Sequence, residues 1–193
     1  MKQAIIYGGA FNPPTNAHQS ILQACVDFAA TSDADVWVMP SGNRIDKNIP
    51  VSTEHRLHMI KALISSINQR DVKVRVEDIE LFSVNQTETY QTYLQLDRKH
   101  PKVQQIWVFG SDSIQTMKSW GDGEWLYNNL HMLIIERPGY ELSELPPHAE
   151  ILSINTQEVS STLVRDHMSK KQDIAHLVPE HVHKTILNLG LFL

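Results

Sequence analysis

Apolar and β-branched residues fall along this chain in short runs, and longer stretches with a helical rhythm separate them. Ala4–Tyr7 reads as a strand, and a helix is predicted from about Asn16 to Ala30. The run DVWVMP, Asp35–Pro40, reads as a second strand that ends in a loop. Within Thr53–Ile67 the apolar positions Leu57, Ile60, Leu63, Ile64 and Ile67 repeat at helical spacing. The segment VKVRVED, Val72–Asp78, alternates like a strand, and Glu88–His100 reads as a helix. Gln105–Gly110, His131–Glu136 and Glu150–Ile154 complete the predicted strands, and Pro179–Leu193 reads as a helix entered through proline.

Strands divided by helix-length segments imply right-handed crossovers and a parallel sheet. No internal repeat, low-complexity run or linker interrupts the pattern. The expectation is one doubly wound α/β domain over residues 1–193, with its C-terminal helices packed on it. Ligands of such sheets bind beyond the carboxyl ends of the strands, near the topological switch point.

Composition narrows the class. Lys plus Arg is 17 against 22 for Asp plus Glu, a net charge of -5. That balance argues against broad binding to nucleic acid or a membrane surface. Basic groups that meet a phosphate must therefore be placed locally. A single cysteine, Cys25, excludes an internal disulfide framework and reads as a small core residue. No stretch approaches a membrane span, and the short apolar run after Met1 is no signal segment, so the expected compartment is the cytoplasm.

Candidate chemistry concentrates in IIYGGAFNPPTNAH, Ile5 to His18. Gly8 and Gly9 permit unusual dihedrals and close ligand approach. Pro13 and Pro14 stiffen the loop, and Thr15 or Asn16 can cap the helix that follows. A helix start offers N–H groups and a positive dipole end to an anion, and His18 lies in its first turn. The plainer alternative is a glycine turn and a capped helix with a histidine at the surface. A second helix start lies in VSSTLVR, where Ser160 or Ser161 can cap and Arg165 falls on the same face as Ser161. His176, His181 and His183 cluster in sequence but read as surface histidines, not as a metal site.

These segments together resemble one family. GGAFNPPTNAH resembles the G-G-x-F-[DN]-P-x-[HT]-x-x-H signature of the nucleotidyltransferase superfamily. FGSDSIQTMKSW, ERPGY, VSSTLVR and VEDIEL resemble further family segments in the right order, from Ile5 to Arg165. The chain looks most like a nicotinate (or nicotinamide) mononucleotide adenylyltransferase. The resemblance implies a Rossmann-like nucleotidyltransferase fold that joins the phosphate of a pyridine mononucleotide to the α-phosphate of ATP. It also implies Mg²⁺ carried on ATP, with few or no dedicated protein ligands. Small-molecule substrates, with neither nucleic acid nor membrane as partner, fit this reading, and a homo-oligomer is compatible with it.

By the same resemblance, Gly8, Gly9, Ala10 and Phe11 line the ATP site, and His18, with Thr15 and Arg165, acts on the phosphates. Ser160, Ser161, Thr162 and Arg165 hold the β- and γ-phosphates. Gly110 and Asp112 lie near the ribose and adenine. Trp120 is the platform for the pyridine ring, and Thr89, Lys47 and Arg137 belong to the mononucleotide side. Arg44 and Arg56 are further basic candidates. Trp107 and Trp125 are set aside, Trp107 as core.

Three departures stand out. Thr15 occupies the place of the first histidine found in many members; it can donate a hydrogen bond but carries no charge. Asp46 stands where histidine often precedes the basic residue. Glu88 stands where tyrosine is common, in a segment whose backbone amides hold the pyridine carboxylate. An inward Glu88 would repel such a carboxylate and favour nicotinamide or dual specificity. The rivals are an adenylyltransferase for another phosphorylated acceptor, such as phosphopantetheine, and a non-catalytic nucleotide-binding module.

Overall fold

In the computed structural model, residues 2–42, 51–83, 87–154 and 159–192 are described. Six strands form one parallel sheet in the order β3-β2-β1-β4-β5-β6. They are β1 (Lys2–Gly9), β2 (Ala34–Pro40), β3 (Val74–Val76), β4 (Val103–Gly110), β5 (His131–Ile135) and β6 (Ala149–Ile151). The connecting helices are α1 (Asn16–Ser32), α2 (Thr53–Ser65), α3 (Thr89–Lys99), α4 (Ser111–Met117), α5 (Gly123–Asn129), α6 (Ser161–Ser169) and α7 (Glu180–Leu189).

The two-residue period of the strands builds two cores. In β1, Ile5 and Tyr7 face one layer while Ala4 and Ile6 face the other. β2 repeats the device, with Val36 and Val38 on one side and Trp37 and Met39 on the opposite side. The first layer packs α1, α2, α6 and α7 on the sheet, through residues such as Leu22, Met59, Val164 and Ile186. The second packs α3, α4 and α5 through Leu96, Met117 and Leu126. Covered on both faces, the central strands carry continuous apolar runs, Ala4–Tyr7 in β1, Val36–Pro40 in β2 and Ile106–Phe109 in β4, as buried parallel strands do.

The strand order reverses between β1 and β4, so the switch point lies where the carboxyl ends of these neighbours part. The glycine-proline loop leaves β1 there. The predicted elements are recovered with shifted ends: β1, α1, β2 and β4 extend beyond the predicted bounds, and others are shorter. The third strand covers Val74–Val76, not the whole of 72–78, and the last covers Ala149–Ile151, ahead of the predicted Ile154. The tail helix stops at Leu189, where Gly190 adopts a left-handed cap at φ 59. α4 and α5, seven residues each, were not predicted, because two turns are too short to show a period. Cys25 and Trp107 are both core, as expected.

Candidate active site

The loop between β1 and α1 is held by its carbonyl groups. Gly9 O accepts from Ser41 N at 2.8 Å, and Ala10 O accepts from Arg56 Nε at 3.1 Å. Asn12 O accepts from Arg165 Nη1 at 2.7 Å, and Pro13 O from Ser161 Oγ at 2.8 Å. Four donors from three other parts of the chain thus turn the acceptor side of this loop into the protein. Among the described residues, nothing accepts from the N–H groups of Ala10, Phe11 or Asn12. A run of backbone amides presented this way suits an anion.

The glycines do not take the unusual dihedrals that the sequence suggested. Gly8 and Gly9 belong to β1, and the left-handed residue of the loop is Phe11, at φ 47. Phe11 is fully buried, edge-on to Tyr7 with ring centroids 5.4 Å apart and tilted on His18 at 5.2 Å. This packing holds a backbone conformation that costs an L-residue about 1–2 kcal/mol. The Asn12–Pro13 peptide is cis. A Cβ on Gly9 would meet the Phe11 ring at 3.1 Å, whereas one on Gly8 would meet only ordinary contacts near 3.8 Å.

Thr15 caps α1, and its position corrects an expectation. It is fully buried, and its one hydroxyl proton lies between two acceptors, His18 Nδ1 at 2.7 Å and Val159 O at 3.2 Å. A donor placed inside the protein cannot also reach a phosphate. Thr15 N–H donates to His18 Nδ1 at 3.0 Å, completing a capping box in which histidine replaces the usual acid. Accepting at Nδ1 places the proton of a neutral His18 ring on Nε2. Thr15 therefore orients His18 and ties the start of α1 to the segment that leads into α6.

The two helix starts differ. In α1, Asn16 N–H is taken by Leu177 O at 3.0 Å and His18 N faces Thr15 Oγ1 at 3.5 Å, so that terminus offers less than the sequence suggested. In α6, Ser160 is the cap, accepting from Leu163 N at 3.1 Å. Ser161 reaches across to Pro13, and the N–H groups of Ser161 and Thr162 meet no acceptor among the described residues. Arg165 bridges the two parts, with Nη1 on Asn12 O and Nη2 on Thr162 Oγ1 at 3.1 Å. His18 and Arg165 thus flank one loop, from α1 and α6 respectively.

A sequence model described as cytidylyltransferase-like matches residues 6–167 of this chain. A probable nicotinate-nucleotide adenylyltransferase of Bacillus cereus is 31% identical over 195 residues, covering 100% of this chain and 99% of its own length. The chain belongs to the cytidylyltransferase-like family, in its nicotinate-nucleotide adenylyltransferase branch. The Bacillus subtilis nicotinate-nucleotide adenylyltransferase is 28% identical, with 100% of this chain and 99% of that protein covered. Among solved structures, the Plasmodium falciparum nicotinic acid mononucleotide adenylyltransferase complexed with NaAD superposes with a TM-score of 0.82 at 25% identity. That superposition covers 100% of this chain and 98% of the Plasmodium chain.

In this adenylyltransferase-family chain the remaining candidates gather at the ends of β4 and β5. Asp112 does not cap α4, whose N-cap is Gly110. It pairs instead with Arg137, Oδ1 lying 3.1 Å from Nε but off the N–H direction, as an ion pair without a hydrogen bond. A Cβ on Gly110 would lie 2.2 Å from Asp112 Oδ1 and 2.5 Å from Arg137 Nε, so glycine is required for this pair to close. Arg137 had been assigned to the acceptor side and Asp112 to the ATP side; the structure joins them.

Trp120 lies three residues beyond the end of α4 and is fixed by that helix and by the sheet. Its Nε1 donates to Thr116 Oγ1 at 3.3 Å, and its ring stands edge-on to Phe109 with centroids 6.0 Å apart. Trp125 packs on Tyr90 and Tyr93 of α3, with centroids 5.0 Å from each. Thr89 is the first residue of α3, and Glu88 is its N-cap. The Glu88 carboxylate lies against Gly121, directly after Trp120: a Cβ there would meet Oε2 at 2.4 Å. Arg44, Asp46 and Lys47 fall outside the described residues.

Arg56, a phosphate candidate by sequence, is 4% exposed, and its guanidinium is occupied by the carbonyls of Ala10 and Ser41. Burial lowers its pKa, and the charge of Glu80 opposes that shift. Sequence reasoning missed this role, and also missed Asn16, whose side-chain amide donates to His176 O at 2.9 Å. No spacing rule links residues so far apart. Among the described residues no group of three or more His, Cys, Asp or Glu is arranged to hold a metal ion.

Proposed function

We propose that this chain transfers the adenylyl group of ATP to nicotinate mononucleotide, or to its nicotinamide counterpart, giving the dinucleotide and pyrophosphate in NAD biosynthesis. The observation that carries this reading is the convergence of His18 and Arg165 on a single loop in which the N–H groups of Ala10, Phe11 and Asn12 meet no acceptor among the described residues. An oxygen of the mononucleotide phosphate attacks the α-phosphorus. The bond from that phosphorus to the bridging β-oxygen breaks, and pyrophosphate leaves. The attacking oxygen is already anionic, so no strong base is required, and positioning with charge stabilisation supplies the catalysis.

In this reading the amides of Ala10, Phe11 and Asn12 and the Nε2–H of His18 gather the α-phosphate. The open amides at the start of α6, with Arg165, take the β- and γ-phosphates. Mg²⁺ carried on ATP would neutralise charge on the pyrophosphate, and the described residues offer it no dedicated ligand set. Gly110, Asp112 and Arg137 border the nucleoside, and Trp120 offers an aromatic face to the pyridine ring. Residues Thr89 and Lys47 complete the acceptor side. The cytoplasm, where these nucleotides occur, is the proposed compartment.

The carboxylate of Glu88, packed against Gly121, favours one acceptor over the other. A negative charge there repels a nicotinate carboxylate and accepts a hydrogen bond from a nicotinamide amide. The expected order is a kcat/KM for nicotinamide mononucleotide equal to or above that for nicotinate mononucleotide. Glu88→Gln should raise the nicotinate value by about tenfold or more, an effect of ~1.4 kcal/mol. A strong nicotinate preference in the unaltered protein would remove Glu88 from specificity.

The decisive experiment is a screen of phosphorylated acceptors with Mg²⁺-ATP, read as pyrophosphate release and dinucleotide formation. His18→Ala should lower kcat by about 10²-fold or more while leaving the unfolding transition nearly unchanged. A chain that binds ATP but adenylylates neither pyridine mononucleotide would defeat the reading.

A further inference from the structure

Arg56 lies in α2, outside the segments that meet phosphate, yet it is 4% exposed and makes two short bonds. Nε reaches Ala10 O at 3.1 Å, and Nη2 reaches Ser41 O at 2.6 Å. Ala10 belongs to the loop after β1, and Ser41 to the loop after β2. Ser41 N also donates to Gly9 O at 2.8 Å, so the two loops remain paired beyond the ends of their strands.

Glu80 continues the chain of contacts. It is 9% exposed and follows β3. Its Oε1 accepts from Thr92 Oγ1 of α3 at 2.7 Å, and its Oε2 faces Gly42 N at 3.4 Å. The backbone of Gly42 packs directly on it: a Cβ on Gly42 would lie 2.2 Å from Glu80 O. Thr92 stands one helical turn after Thr89, where α3 begins. A continuous path of buried polar contacts therefore runs from the loop of Gly9 and Ala10, through Ser41 and Gly42, to α3.

We propose that Arg56, backed by Glu80, is a positioning residue that sets the spacing between the ATP loop and the acceptor side. The inference rests on the adenylyl-transfer reading for which substrates those two sides hold; the strut itself rests on geometry alone. Two features support a role in spacing over one in bulk stability. A buried charge contributes little net stability compared with an apolar filling of the same volume. A planar guanidinium, in contrast, holds two carbonyls at a fixed separation, which the point charge of a lysine does not. In-line transfer is sensitive to such spacing, since a misplacement of ~1 Å costs about 10²-fold in rate.

Arg56→Lys keeps the charge and loses the fork. In the full chain it should lower kcat by about 10–100-fold, while the Kd of ATP alone and of the mononucleotide alone changes by less than about threefold. Hydrogen exchange should quicken together in the peptides covering residues 8–12 and 40–42, with β4 and β5 keeping their protection. Glu80→Gln, which retains an acceptor for Thr92, should reproduce the kcat loss in milder form, and it carries the test if Arg56→Lys does not fold. An unchanged kcat, an exchange increase confined to one loop, or one spread over the whole sheet would each overturn the proposal. If the unaltered chain forms no dinucleotide, the transfer reading fails, and the exchange measurement still decides whether the strut exists.

Discussion

Thr15 caps α1 from inside the protein, and its surroundings explain how it holds the loop. Its hydroxyl meets Val159 O and the His18 ring, and its N–H meets His18 Nδ1. These bonds orient a neighbour and touch no ligand. Thr15→Ala should therefore destabilise the protein by about 1 kcal/mol, as the loss of an N-cap does. It should also lower kcat by loosening His18. Thr15→Ser keeps the hydroxyl and should restore both, as urea unfolding and steady-state kinetics would show. A kcat unchanged in Thr15→Ala would mean that His18 needs no such support. The signature made His18 and Arg165 legible in the sequence, since each lies at a fixed offset from a helix start. The burial of Thr15 was not legible, because its partner Val159 stands 144 residues away. Arg56 was misread for the same reason: local context shows a basic residue near a helix start but not the two carbonyls that enclose it.

Among the elements, α6 offers the better anion site. The N–H groups of Ser161 and Thr162 meet no acceptor among the described residues, whereas in α1 those of Asn16 and His18 face protein oxygens. Sequence patterns showed both starts, since a cap motif reveals the helix but not what folds over it. Two bonds among the described residues tie α6 to the loop, Arg165 Nη1 on Asn12 O and the Ser161 hydroxyl on Pro13 O. Removing the second in Ser161→Ala should cost about 1 kcal/mol of stability. Because the loop and α6 would then be held less closely, the Kd for ATP should rise several-fold, measurable by calorimetry. An ATP affinity equal to that of the unaltered chain would show that Arg165 alone holds the two parts together.

Across the whole molecule, the regular division of apolar strand runs by helix-length segments allowed the doubly wound sheet to be read in advance. The pairing of the layers with particular helices came only from the structure. The layer beneath α1 holds two groups with a common response to pH. Burial pushes the Cys25 thiol up to about 12 and the Tyr7 phenol well above its ordinary range. Both folded values exceed the unfolded ones, so the folded state retains protons that the unfolded chain releases. Their contribution is complete below the unfolded pKa of cysteine, about 8.5, and declines as pH rises toward 12. The midpoint of denaturant unfolding should therefore fall between pH 9 and pH 11, and Cys25→Ala should flatten that fall. A thiol that reacts freely with an alkylating agent in the native protein at pH 8 would contradict this.

Leu177 O and His176 O close over the first residue of α1, across a separation of 160 residues for the His176 contact. A chain cut back ahead of residue 176 keeps the bonds of Ser41, Arg56, Ser161 and Arg165 to the glycine-proline loop but loses both fastenings of Asn16. Such a truncation should be retained more weakly than the unaltered chain on an immobilised-ATP column, and equal retention would show that the nucleotide needs no closure from that side.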